Sequence, residues 1–533
     1  MNGPAATNSP CRPLKTLLLL AGLVGPALVG PGLVGGGVMG TLIGAAWAQA
    51  PATPAGSGDL PASSGSRTTP RPSSGSTPTA DGTVWRRQTV APLPGSLDPV
   101  PLINDNNPEL VRSAGILLST FAGQGRSVPS AHLDLPLQGP FGLFSHHVYA
   151  GRPEQLDSTL WLAVVAAPRG NRPVTLDVLA GSTALSQATA PEQAAAPFLP
   201  LPDRLPQGLT PVWSGPGSRV ATELLRRQRS DEIPARWHLV PGQLTTLLVL
   251  PLPVRGLDPL LNGRNLQLRL NSDGPVDVAT LAAFASDNQP PPAAVLSRLL
   301  DGDLSPREHA PTPRGASGPM VYSRVSGVQV GSIWRTRITD PGRTSLSVRH
   351  APISWPISSL ERGSLGSGQV QTAALKVLYP GTAWAAHGNY GVEYDLMVPL
   401  QNDTAAPVRL QLALESPVKT DQSNGGLRFR LVPSKAVVFR GTVEVSGLDD
   451  SQGGAGGRQS FHLIQRAGQQ GPALGSISLA PGSRRLVQVR LIYPADATPP
   501  QVLSLLPMEA PSTGSAATGA AVKQSEPVPD RRP

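Results

Sequence analysis

The sequence predicts an all-β protein built from two tandem, mostly antiparallel β-sandwich domains with one or two short helices. Apolar residues alternate with polar ones at a period of two in runs such as TLWLAVVAAP, NLQLRLNS and RRLVQVRLIYP, a pattern typical of strands. The 533 residues include 60 Pro and 57 Gly, and proline at this density breaks long helices and favours short strands joined by turns. Many short strands bounded by turn residues indicate β-sandwiches.

A repeated pattern indicates that the two sandwiches are related. LWLAVVAAPRGNRPVTLDVL (160–179) resembles YDLMVPLQNDTAAPVRLQLAL (394–414), because each contains a strand, a polar turn, Pro-Val and a second strand. Chance similarity between β-rich segments is the alternative explanation. We expect the boundary in the Pro-rich stretch 287–318. The expected division is domain 1 at 85–290, a partly helical connector at 291–318 and domain 2 at 319–506.

The amino terminus has the composition of a secretory leader. Arg12 and Lys15 precede an apolar run without charges that ends in Ala-Trp-Ala at 46–48. This order of basic, apolar and small residues predicts a signal peptide at 1–48 that is cleaved before Gln49. An uncleaved anchor is the alternative, since the run is long enough to span a bilayer.

The segments that flank the folded region have little to bury. Residues 49–84 and 507–533 are rich in Pro, Ser, Thr, Ala and Gly, which predicts a disordered spacer and a disordered tail. Cys11 is the single cysteine and lies inside the leader, so the mature chain can form no disulfide. We expect an exported protein in the periplasm, at the cell surface or outside the cell, with no membrane span after cleavage.

The charge composition gives little support for a nucleic-acid partner. The formal net charge is +9, but aromatic residues make up only 4% of the chain. Nucleic-acid recognition calls for a basic stripe interleaved with aromatic side chains, and no such stripe is found. The bias towards Arg, Ala, Gly and Pro is that of a GC-rich genome. We therefore predict no nucleic-acid partner.

One basic cluster is a candidate for contact with an anionic partner. GPGSRVATELLRRQR predicts a short helix with Ser218 as N-cap. The free N–H groups of a helix start favour anions, and Arg219, Arg226, Arg227 and Arg229 extend that positive field. A solvated helix face is the alternative and the more frequent situation. A second short helix is predicted in AAVLSRLLDGD.

The sequence GPFGLFSHHVYAG (139–151) contains an adjacent histidine pair, His146 and His147. Successive side chains in a strand point to opposite faces, so the two rings are not placed to share a metal. Zinc takes three or four ligands, and the nearest other histidine is His132. We expect structural histidines, and we predict no metal and no cofactor.

The strongest enzyme-like feature is Glu393-Tyr394-Asp395. In a strand the two acids share a face with Cα atoms about 6.5–7 Å apart, and paired carboxylates catalyse glycoside cleavage. Some sandwich-fold glycosidases carry E-x-D-x-x-E on a strand, but here Val398 occupies the last position. We expect a solvated outer face.

Two further acidic runs could contribute to calcium sites. They are Asn104-Asp105-Asn106-Asn107 and Asp449-Asp450-Ser451. Neither matches the spacing of an EF-hand loop. Both are predicted to be polar turns.

A set of phrases resembles a known family. The phrases are APLPGSLDPVPLINDNNPELVRSAGILLSTF, PSAHLDLPLQGPFGLFSHH, LNGRNLQLRLNSDGPVDVATLAAFA, HGNYGVEYDLMVPLQND, and VVFRGTVEV with FHLIQRAGQQGP. Together they resemble an uncharacterised family of exported cyanobacterial proteins, a domain of unknown function, over about residues 85–506. The resemblance implies an exported protein of cyanobacterial type and assigns no catalytic residue.

These observations favour a role without catalysis. We expect an exported, non-enzymatic cell-envelope protein that is structural or that binds a glycan or a protein partner, such as an envelope polysaccharide or envelope protein. An exported carbohydrate-active hydrolase is the alternative. Clustered acids in a deep cleft would favour the hydrolase, and an aromatic-lined surface would favour the binding protein.

Overall fold

The computed structural model describes residues 76–78, 82–152, 154–186, 215–285, 288–422 and 424–508. The predicted leader and nearly all of the predicted spacer and tail lie outside these residues. The described part of the chain is mostly β-strand with two short α-helices, so the prediction of an all-β fold is confirmed, and two tandem sandwiches are compatible with it. Within the same ranges, no helix combines the length and the hydropathy needed to cross a membrane.

The strands and helices are numbered in chain order. The first set of strands is β1 Ser76–Pro78, β2 Thr83–Arg87, β3 Thr89–Val90, β4 Ser96–Leu97, β5 Pro101–Leu110, β6 Gly115–Ser119, β7 Leu137–Tyr149, β8 Thr159–Pro168, β9 Val174–Leu185, β10 Arg236–Leu239, β11 Thr245–Pro253 and β12 Asn262–Ala283. The second set is β13 Val325–Val330, β14 Ile333–Arg337, β15 Leu346–Ser347, β16 Ile353–Ile357, β17 Leu375–Leu378, β18 Glu393–Gln401, β19 Val408–Glu415, β20 Gly426–Arg430, β21 Val437–Ser446, β22 Gln459–Arg466, β23 Ala473–Leu479, β24 Arg484–Ile492 and β25 Gln501–Pro507. The helices are α1 Pro216–Leu225 and α2 Ala293–Leu300, with short 3-10 turns at Pro129–Ala131 and Val348–His350.

A ten-stranded sheet forms the first half of the fold. Its main path is β10-β9-β12-β7-β5-β13-β17. The long strand β12 pairs with β7 and β9 in its first part and with β6 and β8 in its last part, with a register shift between Ser272 and Val276. Leu268 in the first part of β12 and its neighbour Leu143 on β7 share one apolar core with Val164 on β8 and Leu250 on β11. The sheet therefore folds over itself along β12.

Two sheets packed face to face form the second half. A seven-stranded sheet has the main path β22-β21-β24-β18-β14-β4, and a five-stranded sheet has the order β23-β19-β25-β16-β3. On β18 the alternate residues Tyr394, Leu396, Val398 and Leu400 are all buried in the core between the sheets. This is the period-two burial that the sequence predicts for a sandwich strand.

Strands from the two ends of the described chain complete each other's sheets. β2 pairs with β20, β3 with β16 and β4 with β14, so the first strands belong to the second half. Conversely, β13 pairs with β5, and β17 pairs with β13, in the first sheet. The domain boundary at 291–318 stays a prediction. A description of the fold as two domains must assign β2, β3 and β4 to the second half, and β13 and β17 to the first.

Both predicted helices are present, with one difference at the first. α1 begins at Pro216 rather than after Ser218, and its N-cap is Gly215. The Ser218 Oγ donates to Gly215 O at 3.1 Å inside the first turn. α1 packs Val220 against β9 of the first sheet and against Ile492 of the second half. α1 therefore packs against both halves of the fold.

Candidate functional site

Two motifs that look unrelated in the sequence are neighbours in the structure. β5 carries Asn104 to Asn107 and runs parallel to β7, with Asp105 opposite Ser145 and Asn106 opposite His146. The prediction of a polar turn at 104–107 is wrong, because these residues lie in an internal strand between β7 and β13. Some of their polar groups are paired across the sheet, as where Asn104 Nδ2 donates to Gln329 Oε1 at 2.6 Å, whereas Asn104 Oδ1 and Asn107 Nδ2 are buried without a hydrogen-bond partner among the described residues. A buried polar strand is stable only with such partners.

The centre of this region is a buried acid–histidine pair. His147 Nε2 lies 2.9 Å from Asp105 Oδ2, and both side chains are fully buried. Burial alone would raise the pKa of Asp105, but the charge and hydrogen bond of His147 and the nearby Arg324 lower that pKa overall. The hydroxyl of Ser145 donates to Asp105 at 3.3 Å rather than to the histidine. The geometry is therefore that of a structural pair, since a catalytic triad places its hydroxyl on the histidine.

His146 points away from this pair and has a different environment. Part of its ring surface is exposed, but its Nδ1 is sealed from water. Burial, with the charge of His147 as a smaller contribution, lowers the pKa of His146 to about 3. Across the described residues, no group of three or more His, Cys, Asp and Glu side chains is arranged to hold a metal ion. The two histidines thus lie in a strand, as predicted, on opposite faces.

The Glu393–Asp395 pair is held by arginines. Glu393 is 3% exposed, and its carboxylate lies 2.8 Å from Arg269 and 2.7 Å from Arg490. Asp395 pairs with Arg335 at 3.1 Å. The prediction of a solvated outer face is wrong for Glu393, because Arg269 on β12 of the first sheet covers it. This acid joins the two halves of the fold.

The backbone N–H groups at the start of α1 already have an anionic partner within the protein. The backbone N–H groups of Gly217 and Ser218 donate to the Asp496 carboxylate at 3.2 and 2.5 Å. The anion at the start of α1 is therefore a side chain of the second half, and burial raises its pKa.

The four arginines differ in their surroundings. Arg219 pairs with Glu223 at 3.1 Å, whereas Arg226 is half-buried and Arg227 and Arg229 are exposed. A contact between these arginines and a partner stays a prediction. Only Arg227 and Arg229 have the exposure that such a contact needs.

An open pocket lies between the connector that precedes β13 and the loops around β17. Its volume is about 260 Å³, and its lining includes Tyr322, Trp384 and His387. The Tyr322 and His387 rings meet edge to face with centroids 4.7 Å apart. His387 Nε2 lies 2.6 Å from the carbonyl oxygen of Ser323, a contact in which the ring nitrogen donates. Burial lowers the pKa of His387 to about 4, so its ring is neutral at ordinary pH.

Charged residues stand at the rim of this pocket. The guanidinium carbon of Arg314 lies 5.2 Å from the centroid of Trp384. Arg362 donates to the carbonyl oxygens of Ala316 and Gly318, which fixes the connector over the pocket. Glu361 is on the same rim. The result is an apolar, aromatic floor beneath a polar rim, the general composition of small-ligand sites.

Sequence reasoning missed this pocket for a physical reason. Its residues come from irregular segments rich in Pro, Gly and Ala, where no periodicity marks a shared face. Tyr322 and Trp384 are 62 positions apart in the chain, and only the fold places them together. The one signal of this pocket in the sequence is the presence of aromatic residues in loops. Loops lie at the surface more often than strands do, so their aromatic side chains are available to a ligand.

Comparison with known proteins identifies one family for this chain. No curated protein matches the chain. A family model with the description "Protein of unknown function (DUF3370)" matches residues 88–507. The matched range runs from the residue before β3 to the last residue of β25, so it includes the buried Asp105–His147 pair and every residue of the pocket. The chain belongs to the DUF3370 family.

Proposed function

We propose that this protein is an exported, non-enzymatic component of a cyanobacterial-type cell envelope that binds a glycan through the pocket of Tyr322 and Trp384. The observation that carries the proposal is the aromatic floor of this pocket with arginines at its rim. Export is supported by the leader-like composition of residues 1–48, and the envelope is where an exported protein would meet structural glycans.

The chemistry of the pocket suits a sugar ring. A pyranose has an apolar face of C–H groups, which packs on an aromatic ring, and a rim of hydroxyl groups, which need hydrogen-bond partners. Trp384 and Tyr322 are half-buried and supply aromatic rings for the apolar face of the sugar. Arg314 supplies hydrogen-bond donors for the hydroxyl groups. A volume of about 260 Å³ is slightly below the range of about 300–1,000 Å³ that is usual for ligand pockets. It suits one terminal sugar better than a long stretch of polymer.

The alternative of a carbohydrate-active hydrolase has less support. Glycoside cleavage uses two carboxylates on either side of the scissile bond. Among the described residues that line the pocket, Glu361 is the carboxylate. The other paired acids, Glu393 and Asp395, are engaged by arginines. Binding of a protein partner is the second alternative. We propose that such a partner would make electrostatic contacts with Arg227 and Arg229, which follow α1.

Calorimetric titration with envelope glycan fragments tests this proposal. Trp384→Ala removes the aromatic floor, and we expect it to weaken binding about tenfold or more, as for a truncated aromatic anchor. Leu179→Ala is the control, since Leu179 is an exposed apolar residue on β9 outside the pocket. Equal affinity in wild type and Trp384→Ala would remove the pocket from the proposal. Release of reducing sugar by the wild-type protein would instead favour the hydrolase.

A further inference from the structure

A small three-stranded sheet presents tryptophan and arginine on its outer face. In the antiparallel pair of β2 and β20, Trp85 lies opposite Arg428, Arg87 opposite Gly426, and Thr83 opposite Arg430. Alternation places these residues on one side of the sheet. Arg87, Arg428 and Arg430 are exposed and Trp85 is half-buried. We call Trp85, Arg87, Arg428 and Arg430 the arginine face.

The opposite side of the same two strands is buried in the second half of the fold. Val84, Leu427 and Phe429 are 3%, 1% and 0% exposed. Arg86 forms an ion pair with Glu415 through two hydrogen bonds, and its guanidinium lies 4.7 Å from the Phe429 ring centroid. The arginine face therefore stands on a buried, hydrogen-bonded base and has a defined orientation.

Two glycines adapt the backbone to this face. A Cβ at Gly426 would lie 2.8 Å from Trp85 Cζ2, so the absence of a side chain leaves room for the indole against the strand. A Cβ at Gly468 would clash with the Arg430 stem, which packs there in the same way. Trp85 and Arg430 are thus held along the surface. Because directly opposed residues have Cβ atoms about 5 Å apart, Arg428 stands beside the indole.

Further exposed groups extend the surface beyond the end of β20. Lys435 and Arg466 are exposed, and they are linked where Arg466 Nη1 donates to Lys435 O at 3.4 Å. Leu431 and Val432 are 50% and 82% exposed. The surface thus combines positive charge with apolar area, and opposite charge is the property that its partner must supply.

We infer that the arginine face binds an acidic polysaccharide. The planar guanidinium group of arginine binds carboxylate or sulfate groups through paired hydrogen bonds. The indole of Trp85 offers an apolar surface for the C–H face of a sugar ring. A nucleic acid fits less well, since single strands are held by a series of aromatic rings on which successive bases stack. The arginine face contains one such ring, and part of it already packs on Gly426. This inference does not depend on the pocket of Trp384.

Binding of polygalacturonate, a polymer of carboxylated sugars, tests the inference directly. In low salt we expect wild type to bind polygalacturonate and not neutral dextran, and raising salt to weaken binding by screening the exposed charges. The variant with Arg87→Gln, Arg428→Gln and Arg430→Gln is expected to bind about tenfold more weakly, because each exposed charged contact contributes modestly. Trp85→Ala is expected to weaken binding even at high salt.

A charge-matched control separates this face from net charge. The triple variant Arg172→Gln, Arg255→Gln and Arg298→Gln removes three exposed charges from the first half of the fold, and we expect it to bind like wild type. Equal losses in the two triple variants, or tighter binding of single-stranded DNA than of polygalacturonate, would overturn the inference. Thermal melts show whether each variant is folded, and Arg87→Gln alone, which is exposed, is expected to weaken binding measurably if the larger variant is unstable.

Discussion

The central strands of the first sheet and the core of the second half bury very different side chains. In the first sheet, Asn104, Asp105 and His147 are each 0% exposed and lie side by side on β5 and β7. In the second half, the core between the seven-stranded and five-stranded sheets is aliphatic and aromatic. Examples of its residues are Leu396, Leu412, Val443, Ile477 and Leu503, each no more than 1% exposed.

The difference teaches how each interior is specified. An apolar core is held by volume and shape, so neighbouring hydrophobic residues are partly interchangeable. A buried polar group has a high cost when its partner is missing, and its network fixes one arrangement of strands. We expect the first sheet to be sensitive to single polar substitutions and to pH, and the second core to be sensitive mainly to volume.

The largest effect is expected when the buried pair of the first sheet is broken. Asp105→Ala leaves His147 and Arg324 without their carboxylate, and removal of one member of a buried charged pair costs about 3–5 kcal/mol. Urea unfolding of wild type and variant measures the loss. Asp105→Asn keeps the shape and one acceptor, so we expect it to lose clearly less. If Asp105→Ala lost under 1 kcal/mol, the pair would not organise the sheet.

The second-largest effect is expected from His146, which contributes to a loss of folding stability in acid. Its pKa is about 3 in the folded protein against 6.5 for an ordinary histidine. The unfolded chain therefore binds a proton that the folded chain does not, and stability falls as pH decreases from about 6.5 towards 3, by about 1.4 kcal/mol per pH unit.

The difference between wild type and His146→Gln isolates this contribution. We expect the slope of unfolding free energy against pH, measured between pH 6 and pH 4, to be smaller in the variant by that amount. The raised pKa of Asp496 acts in the opposite direction above pH 3.8, but it is present in both proteins and cancels. Identical slopes would mean that His146 is protonated in the folded state.

The smallest effect is expected in the apolar core. Ile477→Val removes one methylene group from a residue that is 0% exposed, which costs about 0.5–1.5 kcal/mol. The loss should be the same at pH 7 and pH 5, since no titratable group is involved. A loss that grows in acid would show that the second core is coupled to the polar strands of the first sheet. Urea unfolding at the two pH values decides between these results.

Local patterns predicted the elements of this fold well. TLWLAVVAAP is β8 Thr159–Pro168 along its whole length, and AAVLSRLLDGD contains α2 Ala293–Leu300. Alternation and helical spacing are properties of neighbouring residues, so they can be read from one segment. NLQLRLNS was also predicted to be a strand, but it is only part of β12, which continues through DVATLAA to Ala283. The break between the two segments is a register shift, which has no clear local signal.

Contacts between distant segments could not be predicted in the same way. Asp105 is the partner of His147, and Arg269 that of Glu393, through pairings of strands and sheets that no single segment encodes. The same holds for the arginine face, where Trp85 meets Arg428. The predicted arginine cluster was local and was therefore visible in the sequence, but the hydrogen bonds from the start of α1 to the Asp496 carboxylate were not.

The exchange of strands has a consequence for the order in which the chain assembles during synthesis. Thr83 is among the first described residues to be synthesised, and its partner on one side is Arg430. That edge of β2 therefore stays unpaired until most of the chain has been made. The first sheet likewise receives β17 only once Leu378 is made. Domains usually fold one after another from the amino terminus, but neither half of this protein is complete in a contiguous stretch. The nascent chain therefore carries unpaired strand edges until late, and assembly of both halves finishes together.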